Sequence, residues 1–314
     1  MSNRKERKTR KKGNWWKILL ALLLVIGVSI GVYVFSIYHD AKQTVSNDIH
    51  KSVKSIDSVA TKKKIKNEET LHVLLMGVDA RPGDKGRSDA LMVMSLDPNH
   101  DKMQIVSIPR DTRTTIVGRG SESKINAAYA YGGPDMAINT VENFLDIDLD
   151  YYVKVNMEGL SQMVDAVGGV TVDNDRDWYD EGYYKKGYHY KKGEIHLDGP
   201  KTMGYVRMRH LDNRGDFGRN KRQRQVIEAV MNKGSSVGSL NKITSIIDVL
   251  GNNVETNMDF KDMKNLYSNY RSTRNNVDTY EMSGNGQMIG KGWYLLVPDS
   301  EIQKVHNMIT AMNS

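Results

Sequence analysis

An uncharged apolar run from Ile18 to Tyr38 constrains this chain more than any other feature. Its 21 residues are enough for one helix across a bilayer core of about 30 Å. A basic tail, 1–17, precedes it, and the positive-inside rule keeps such a tail in the cytoplasm. The sequence therefore predicts a cell-membrane protein with a single-pass signal anchor at 18–38, and places everything after it outside the cytoplasm.

A cleaved signal peptide is the alternative for the same segment. Its apolar run exceeds the roughly 7 to 15 residues usual for a signal peptide. The following residues, FSIYHDAKQ, contain no small-x-small cleavage site. Both observations favour an uncleaved anchor.

The net charge of +7 is confined to the tail, because 1–17 holds eight basic residues and one acidic residue. The rest of the chain is neutral, so the sequence predicts no nucleic-acid partner, whose binding requires excess positive charge on the folded part. There are no cysteines, so no disulfide framework is available.

Beyond the apolar run, the spacing of apolar residues predicts a polar stalk at 39–70 and a folded domain at 71–314. Short apolar runs at 71–79, 90–97 and 102–109 are typical of buried strands. Helical patterns follow, one of them opened by Pro134. Because strands alternate with helices, we expect an α/β sandwich.

Acidic and basic side chains follow two of these strands. Asp79 ends the first, and a polar loop then carries Arg87 and Asp89; Arg110 follows the third. Ligands of α/β sheets collect at the carboxyl ends of strands. Two carboxylates with open positions suit Mg²⁺ bound jointly with a pyrophosphate, although both could instead pair with neighbouring arginines.

A second basic cluster, Tyr205 to Gln225, holds six arginines. It indicates a phosphate site, because guanidinium groups bind phosphate in bidentate fashion; the alternative is a solvated helix face. Helical spacing places Arg219, Arg222 and Gln223 beside Val226, facing the interior. Buried arginines need anions, supplied either by nearby aspartates or by a ligand's phosphates.

Two further segments have weaker patterns. The aromatic stretch 178–192 is predicted to be an exposed loop or hairpin, with a sugar-stacking platform as the alternative. The stretch GNGQMIGKG at 284–292 lacks two required P-loop residues and is predicted to be a turn between strands.

The whole chain resembles the LytR-CpsA-Psr family of cell-wall polymer transferases. The resemblance rests on motifs in the family's order: GVDARPGDKGRSDALMVMSLD, SIPRDT, KINAAYAYGG, DYYVKVNMEG, VDAVGGVTV, LDGPKTMGYVRMRH and GDFGRNKRQRQ. It implies an αβα sandwich with a central mixed sheet. It also implies an enzyme that moves an anionic glycopolymer, with wall teichoic acid favoured, from undecaprenyl pyrophosphate to the 6-hydroxyl of N-acetylmuramic acid in peptidoglycan.

The matching motifs carry the family's site residues onto this sequence. Asp79 and Asp89 correspond to ligands of Mg²⁺ or Mn²⁺, and Asp216 to an aspartate that orients an arginine. Lys124 and Arg87 also lie in matching motifs, and the apolar residues of 124–131 and the helix after Pro134 are expected to line a lipid pocket. The implied pyrophosphate contacts are Arg110, Arg207, Arg209, Arg219 and Gln223.

One departure from the family pattern is the run Thr202, Met203 and Gly204, where many relatives have Ala-Leu before the arginine pair. Two other functions remain open at this point: a pyrophosphatase that uses water as acceptor, and a non-catalytic wall-binding or regulatory protein anchored in the membrane. The sequence leaves open the particular glycopolymer and the general base.

Overall fold

The computed structural model describes residues 32–33, 35–79, 86–234, 249–251 and 253–313. The chain forms two compact units, one ending at Gln43 and one beginning at Thr44. The predicted tail 1–17 and most of the predicted span 18–38 lie outside the described residues. Within the described ranges, no helix is both long and apolar enough to cross a membrane.

The strands of the second unit, in chain order, are β1 Leu71–Asp79, β2 Arg87–Asp97, β3 Lys102–Ser107, β4 Arg113–Ile116, β5 Ser121–Lys124, β6 Tyr151–Asn156, β7 Val170–Asn174, β8 Trp178–Tyr179, β9 His189–Tyr190, β10 Gly193–Leu197, β11 Val254–Thr256, β12 Val277–Glu281, β13 Asn285–Ile289 and β14 Gly292–Leu296. Its helices are α1 Ser58–Lys66, α2 Ala127–Leu145, α3 Met157–Ala166, α4 Gly199–Arg207, α5 Asp216–Gly234, α6 Phe260–Asn269 and α7 Asp299–Thr310.

A six-stranded sheet forms the centre, in the order β11-β6-β1-β2-β3-β12. The pairs β1–β6 and β3–β12 are parallel, and the remaining neighbours are antiparallel. The predicted central mixed sheet is therefore confirmed. The predicted strands at 71–79, 90–97 and 102–109 correspond to β1, β2 and β3.

Helices cover both faces of this sheet. Leu74 and Met76 of β1 pack in one core cluster with α2 and α7. Val73, on the opposite face because strand side chains alternate, packs in another cluster with residues of α5 and α6. This arrangement is the predicted αβα sandwich.

The compact unit begins at Thr44, whereas the sequence predicts a domain boundary at 71 with a stalk before it. The physical reason is that the spaced apolar residues of this segment are buried: Val45 and Ile49 pack beside β11, and Ile65 packs against the central sheet. Asp57 caps α1 by accepting hydrogen bonds from two backbone N–H groups of its first turn. Residues 44–70 are thus part of the folded unit.

The strand directions bring several chain ends to one edge of the sheet. Since β1, β3, β6 and β12 run the same way, their carboxyl ends lie together. The antiparallel strand β2 begins at this same edge. A β-bulge lies here, because Gly77 pairs with Ala90 and Val78 with Ser88, which leaves Asp89 as the extra residue. Such a bulge redirects the strand and aims side chains next to functional sites.

Candidate functional site

The sheet edge joins the two polar segments predicted from the sequence. Arg110, just beyond the end of β3, donates from Nη1 to Asp89 Oδ1 at 3.0 Å. Asn126 Nδ2 donates to the same oxygen at 3.4 Å. The bulge on β2 and the chain after Pro109 thus place the predicted carboxylate and arginine in direct contact.

Asp216, the first residue of α5, links the arginine cluster to this edge. Its Oδ2 accepts from Arg110 Nε at 3.2 Å. Its Oδ1 lies 2.9 Å from Arg209 Nε and 3.1 Å from Arg219 Nη2. One carboxylate therefore contacts three guanidinium groups from separate parts of the sequence. The expectation that Asp216 holds arginines in place agrees with this geometry.

Lys124 extends the charged cluster. Its Nζ lies 2.6 Å from Oδ1 of Asp111, the residue after Arg110. Asp111 Oδ2 in turn lies 3.6 Å from Arg110 Nε. Together with Asp89, Asp216, Arg209 and Arg219, these residues define what we call the charged cluster. It contains four cationic and three anionic side chains, so it has an excess of positive charge for an anionic ligand.

The pKa values show how strongly the cluster fixes its charges. Burial alone would raise the pKa of Asp216, but Arg219, Arg110 and Arg209 hold it below its ordinary value. Burial would lower the pKa of Arg110, yet the attraction of Asp216, Asp89 and Asp111 outweighs burial and raises it. Burial lowers the pKa of Arg219, and Asp216 opposes this only in part. Asp216 is therefore a poor proton acceptor at neutral pH.

Two side chains of α5, Arg219 in the charged cluster and Gln223 beside it, have buried polar atoms that make no hydrogen bond. Nε of Arg219 makes no hydrogen bond within the described part of the chain, whereas its Nη2 is paired with Asp216; both amide atoms of Gln223 are also without a partner there. Buried polar groups are almost always paired, and an unpaired one is costly. These atoms are therefore available to a ligand.

Arg222, on the same helix, is different. Its Nη1 lies 2.7 Å from Asp212, and its other nitrogens donate to the carbonyl oxygens of Tyr205 and Met208. Only 2% of its side chain is exposed. The predicted inward face of α5 is confirmed, but the two alternatives for its buried arginines divide: Arg222 is satisfied by the protein, whereas Arg219 is not.

An apolar cavity of about 300 Å³ begins beside Gln223. It lies between the sheet face of β6, β1 and β2 and the helices α3 and α5. Its walls are almost entirely aliphatic and thioether side chains, for example Leu75, Met92, Val153, Leu160 and Ile227. Such a cavity takes a hydrocarbon chain rather than a polar substrate.

The cavity is not where the sequence places the lipid pocket. The apolar residues of 124–131 and of the helix after Pro134 pack in the core on the opposite face of the sheet, as Ala128 and Ile138 do. That prediction is wrong because both helical layers of a sandwich have apolar inner faces. Only the packing shows which layer leaves a space.

Three predicted site residues are less fully defined. Asp79 ends β1 and pairs in register with Arg87, which places both at the functional edge, but the side chain of Asp79 is outside the described residues. Arg207 ends α4. Arg207 is still helical, so the chain is not extended across both arginines as expected; Met208 between them is fully buried, and Arg207 and Arg209 are each partly exposed.

The surroundings of Asp89 fit a binding site for a hard cation such as Mg²⁺ only in part. A carboxylate oxygen is a ligand that Mg²⁺ favours. Oδ1 of Asp89, however, already accepts hydrogen bonds from Arg110 and Asn126. No group of three or more histidine, cysteine or acidic side chains suited to a metal occurs within the described ranges. A metal here would thus need oxygen ligands from its substrate, as the sequence analysis supposes.

Some features escape sequence reasoning. Asn126 contacts Asp89, and only its place in the motif KINAAYAY signals a role. In the aromatic stretch 178–192, Trp178 and Tyr190 stack at 4.0 Å and are buried, so those rings are core rather than an exposed platform. Within 284–292, predicted to be a turn between strands, the turn is confined to Gly290 and Lys291, and Asn285–Ile289 form the strand β13 of the β13–β14 hairpin.

Comparison with known proteins gives consistent results. A curated relative from Oceanobacillus iheyensis, named polyisoprenyl-teichoic acid–peptidoglycan teichoic acid transferase TagU, is 43% identical over 99% of this chain and 98% of its own length. The crystal structure of B. subtilis TagU shares 39% identity and a TM-score of 0.63, over 78% of this chain and 97% of that one. A structure described as TagT bound to LI-WTA has a TM-score of 0.66 at 27% identity, over 85% and 96%. Residues 32–311 match the model of the LytR_cpsA_psr family, to which this chain therefore belongs.

Proposed function

We propose that the protein transfers wall teichoic acid from a polyisoprenyl pyrophosphate carrier to peptidoglycan. The observation that carries this proposal is the junction of the charged cluster with the apolar cavity at Arg219 and Gln223. A lipid pyrophosphate has the same two parts, a hydrocarbon chain and a compact anion, in direct succession. The names of the most similar relatives support the same polymer and acceptor.

The unpaired atoms define how the donor would bind. The hydrocarbon chain occupies the cavity between α3 and α5, and the pyrophosphate lies at its mouth, where Gln223 and Nε of Arg219 bind its oxygens. Arg110 and Arg209, already held by Asp216, add positive charge on the other side. Arg207 and Arg87, at the same edge, and Lys124 are further contacts of this kind.

In the reaction, a sugar hydroxyl of peptidoglycan forms a bond to the phosphorus nearer the glycopolymer. The bond from that phosphorus to the lipid phosphate breaks, and the lipid phosphate leaves with the electron pair and, in the net balance, the proton lost by the hydroxyl. Negative charge spreads over the phosphate oxygens during this step. Arg110, Arg209 and Arg219 stabilise that charge because Asp216 fixes their positions before the donor arrives.

A divalent cation, Mg²⁺ or Mn²⁺, completes the proposal. Asp79 and Asp89 would hold it at the sheet edge, and phosphate oxygens of the donor would supply further ligands. When bound, the ion neutralises charge on the pyrophosphate. Asp89 also holds Arg110, so it would orient an arginine as well as the metal.

We propose that 18–38 anchors the protein in the cell membrane, with the tail 1–17 in the cytoplasm and the compact unit outside. Support comes from the apolar run and the basic tail of the sequence. This placement puts the cavity on the side of the membrane where peptidoglycan is assembled.

The test uses the full-length protein, a defined lipid-linked teichoic acid precursor, Mg²⁺ and uncrosslinked peptidoglycan. We expect a covalent polymer–peptidoglycan conjugate and free lipid phosphate. Release of free glycan phosphate regardless of peptidoglycan would instead show a pyrophosphatase. Retention of intact donor, with no turnover, would show a binding or regulatory protein.

A further inference from the structure

Trp293, in the β13–β14 hairpin, is a solvent-exposed tryptophan that the proposed reaction leaves without a role. Its side chain is 43% exposed. A Cβ atom placed on Gly286 would lie 2.7 Å from Cζ2 and 3.1 Å from both Cε2 and Nε1 of the indole. Three ring atoms so near one backbone position mean that the indole lies across the strand where Gly286 has no side chain. The indole is thus supported by β13 and remains partly open to solvent.

The hairpin is tied directly to the charged cluster. Leu295 N donates to the carbonyl oxygen of Asp111 at 2.9 Å, and Thr112 forms a bridge with Leu295. Lys124 Nζ lies 5.7 Å from the ring centre of Tyr294. Trp293 is two residues from Leu295 on the same strand, which is roughly 7 Å along the strand from the residue that bonds to Asp111.

The hairpin and the cavity are at the two ends of a series of contacts through the cluster. From the cavity the contacts run through Gln223 and Arg219 to Asp216, and then through Arg110 to Asp111 and the hairpin. In phosphoryl transfer the attacking and leaving oxygens are roughly in line with the phosphorus. Because the lipid phosphate leaves toward the cavity, the attacking hydroxyl must approach from the side away from the cavity, and the hairpin is at the other end of these contacts.

The composition of the hairpin indicates which substrate it would bind. Residues 285–296 contain one charged side chain, Lys291. A surface for the polyanionic donor would carry clustered positive charge instead. An aromatic ring face is negative and packs well on the C–H groups of an uncharged pyranose ring.

We propose that Trp293 is a stacking platform for a pyranose ring of the acceptor glycan strand. This rests on the proposed transferase function and assigns the acceptor side of the same site. Trp293 acts by positioning the sugar whose hydroxyl attacks, and touches no phosphate. Gly286 belongs to the platform because its missing side chain lets the indole lie flat.

The first test is steady-state transfer by the full-length protein, with uncrosslinked glycan fragments as the varied substrate. Trp293→Ala should raise KM for the acceptor roughly threefold to tenfold, the range expected for one aromatic contact, and leave kcat and KM for the donor unchanged. Trp293→Phe should recover most of the loss. Tyr179→Ala removes an exposed aromatic residue from the β8–β9 hairpin and should have no effect. An unchanged acceptor KM in Trp293→Ala, or a rise in the donor KM instead, overturns the proposal.

A second measurement does not need catalysis. The chain has four tryptophans, and Trp178 is buried, so the difference between the wild-type and Trp293→Phe emission spectra reports the exposed indole. Glycan fragments added without donor should change the emission of the wild type but not of Trp293→Phe. A change in emission without any transfer would refute the proposed transferase function and support the stacking of a sugar on Trp293. Transfer without a change in emission would support the transferase function and refute the stacking of a sugar on Trp293.

Discussion

Replacing Asp212 by Asn should destabilise the fold far more than its conservative shape suggests. The carboxylate is fully buried and contacts three guanidinium groups. Burial alone would raise the pKa of Asp212, but hydrogen bonds from Arg214 and Arg222 hold it well below its ordinary value. The change removes one negative charge and leaves the buried Arg222 without a counterion.

The loss of folding stability in Asp212→Asn depends on the hydrogen bonds that Arg222 keeps. Removing one partner of a buried ion pair costs about 3 to 5 kcal/mol. Arg222 retains hydrogen bonds to two carbonyl oxygens, at 3.1 and 2.5 Å, so the lower end applies. Arg176 and Arg214 are partly exposed, and water compensates their loss. About 3 kcal/mol corresponds to a fall in Tm of roughly 6 to 12 °C for a domain of this size.

The assay is thermal unfolding of the full-length protein by circular dichroism at pH 7. Asp175→Asn is the matched control: Asp175 pairs with Arg214 and Lys221 but is 32% exposed, so its loss should cost about 1 kcal/mol or less. Because folding lowers the pKa of Asp212, its contribution is complete above about pH 4 and declines as the pH falls further. Equal Tm values for the two variants at pH 7 would refute the reasoning.

Three other predictions concern the reaction. Arg219→Ala should lower kcat/KM roughly 100- to 1,000-fold with little change in Tm, because Arg110 and Arg209 still pair with Asp216 when Arg219 is removed; a large Tm loss would contradict this. Leu160→Trp should fill the cavity and raise KM for the lipid donor, whereas Glu158→Trp, on the exposed side of α3, should not; equal donor KM values would argue against lipid binding there. Chelation by EDTA should abolish transfer and Mg²⁺ should restore it, and full activity in EDTA would exclude the proposed metal.

The sequence predicts that Asp89 and Arg110 lie at one edge of the sheet, because the change from apolar to polar residues at the end of a buried strand is visible locally. Once β1 and β3 are both recognised as buried strands ended by polar residues, their carboxyl ends can share an edge, and Asp89 and Arg110 do meet there. The bulge that makes Asp89 the extra residue of β2 is not visible in the sequence. It depends on the register between two strands, which local patterns do not determine.

The sequence could not identify the cavity or the start of the fold for a related reason. Apolar spacing shows that a helix has a buried face but not whether its partner fills the space completely. The helix after Pro134 packs without the gap found beside α3 and α5. In the same way, the few apolar residues of 44–70 give a weak periodic signal, yet Ile49 and Ile65 are buried by tertiary contacts.

The two arginines on the inner face of α5 explain how one cluster supports both the fold and the site. Helical spacing makes Arg219 and Arg222 equivalent, and their difference arises from the chain between α4 and α5. There Met208 offers its carbonyl oxygen, and Asp212 its carboxylate, to Arg222. A Cβ on Gly218 would lie 1.8 Å from that carboxylate, so the helix approaches Asp212 closely at this point. With Arg222 saturated, the loop carrying Arg209 is held against α5, and Arg219 keeps a buried Nε without a partner in the described part of the protein, which is the atom offered to the proposed phosphate.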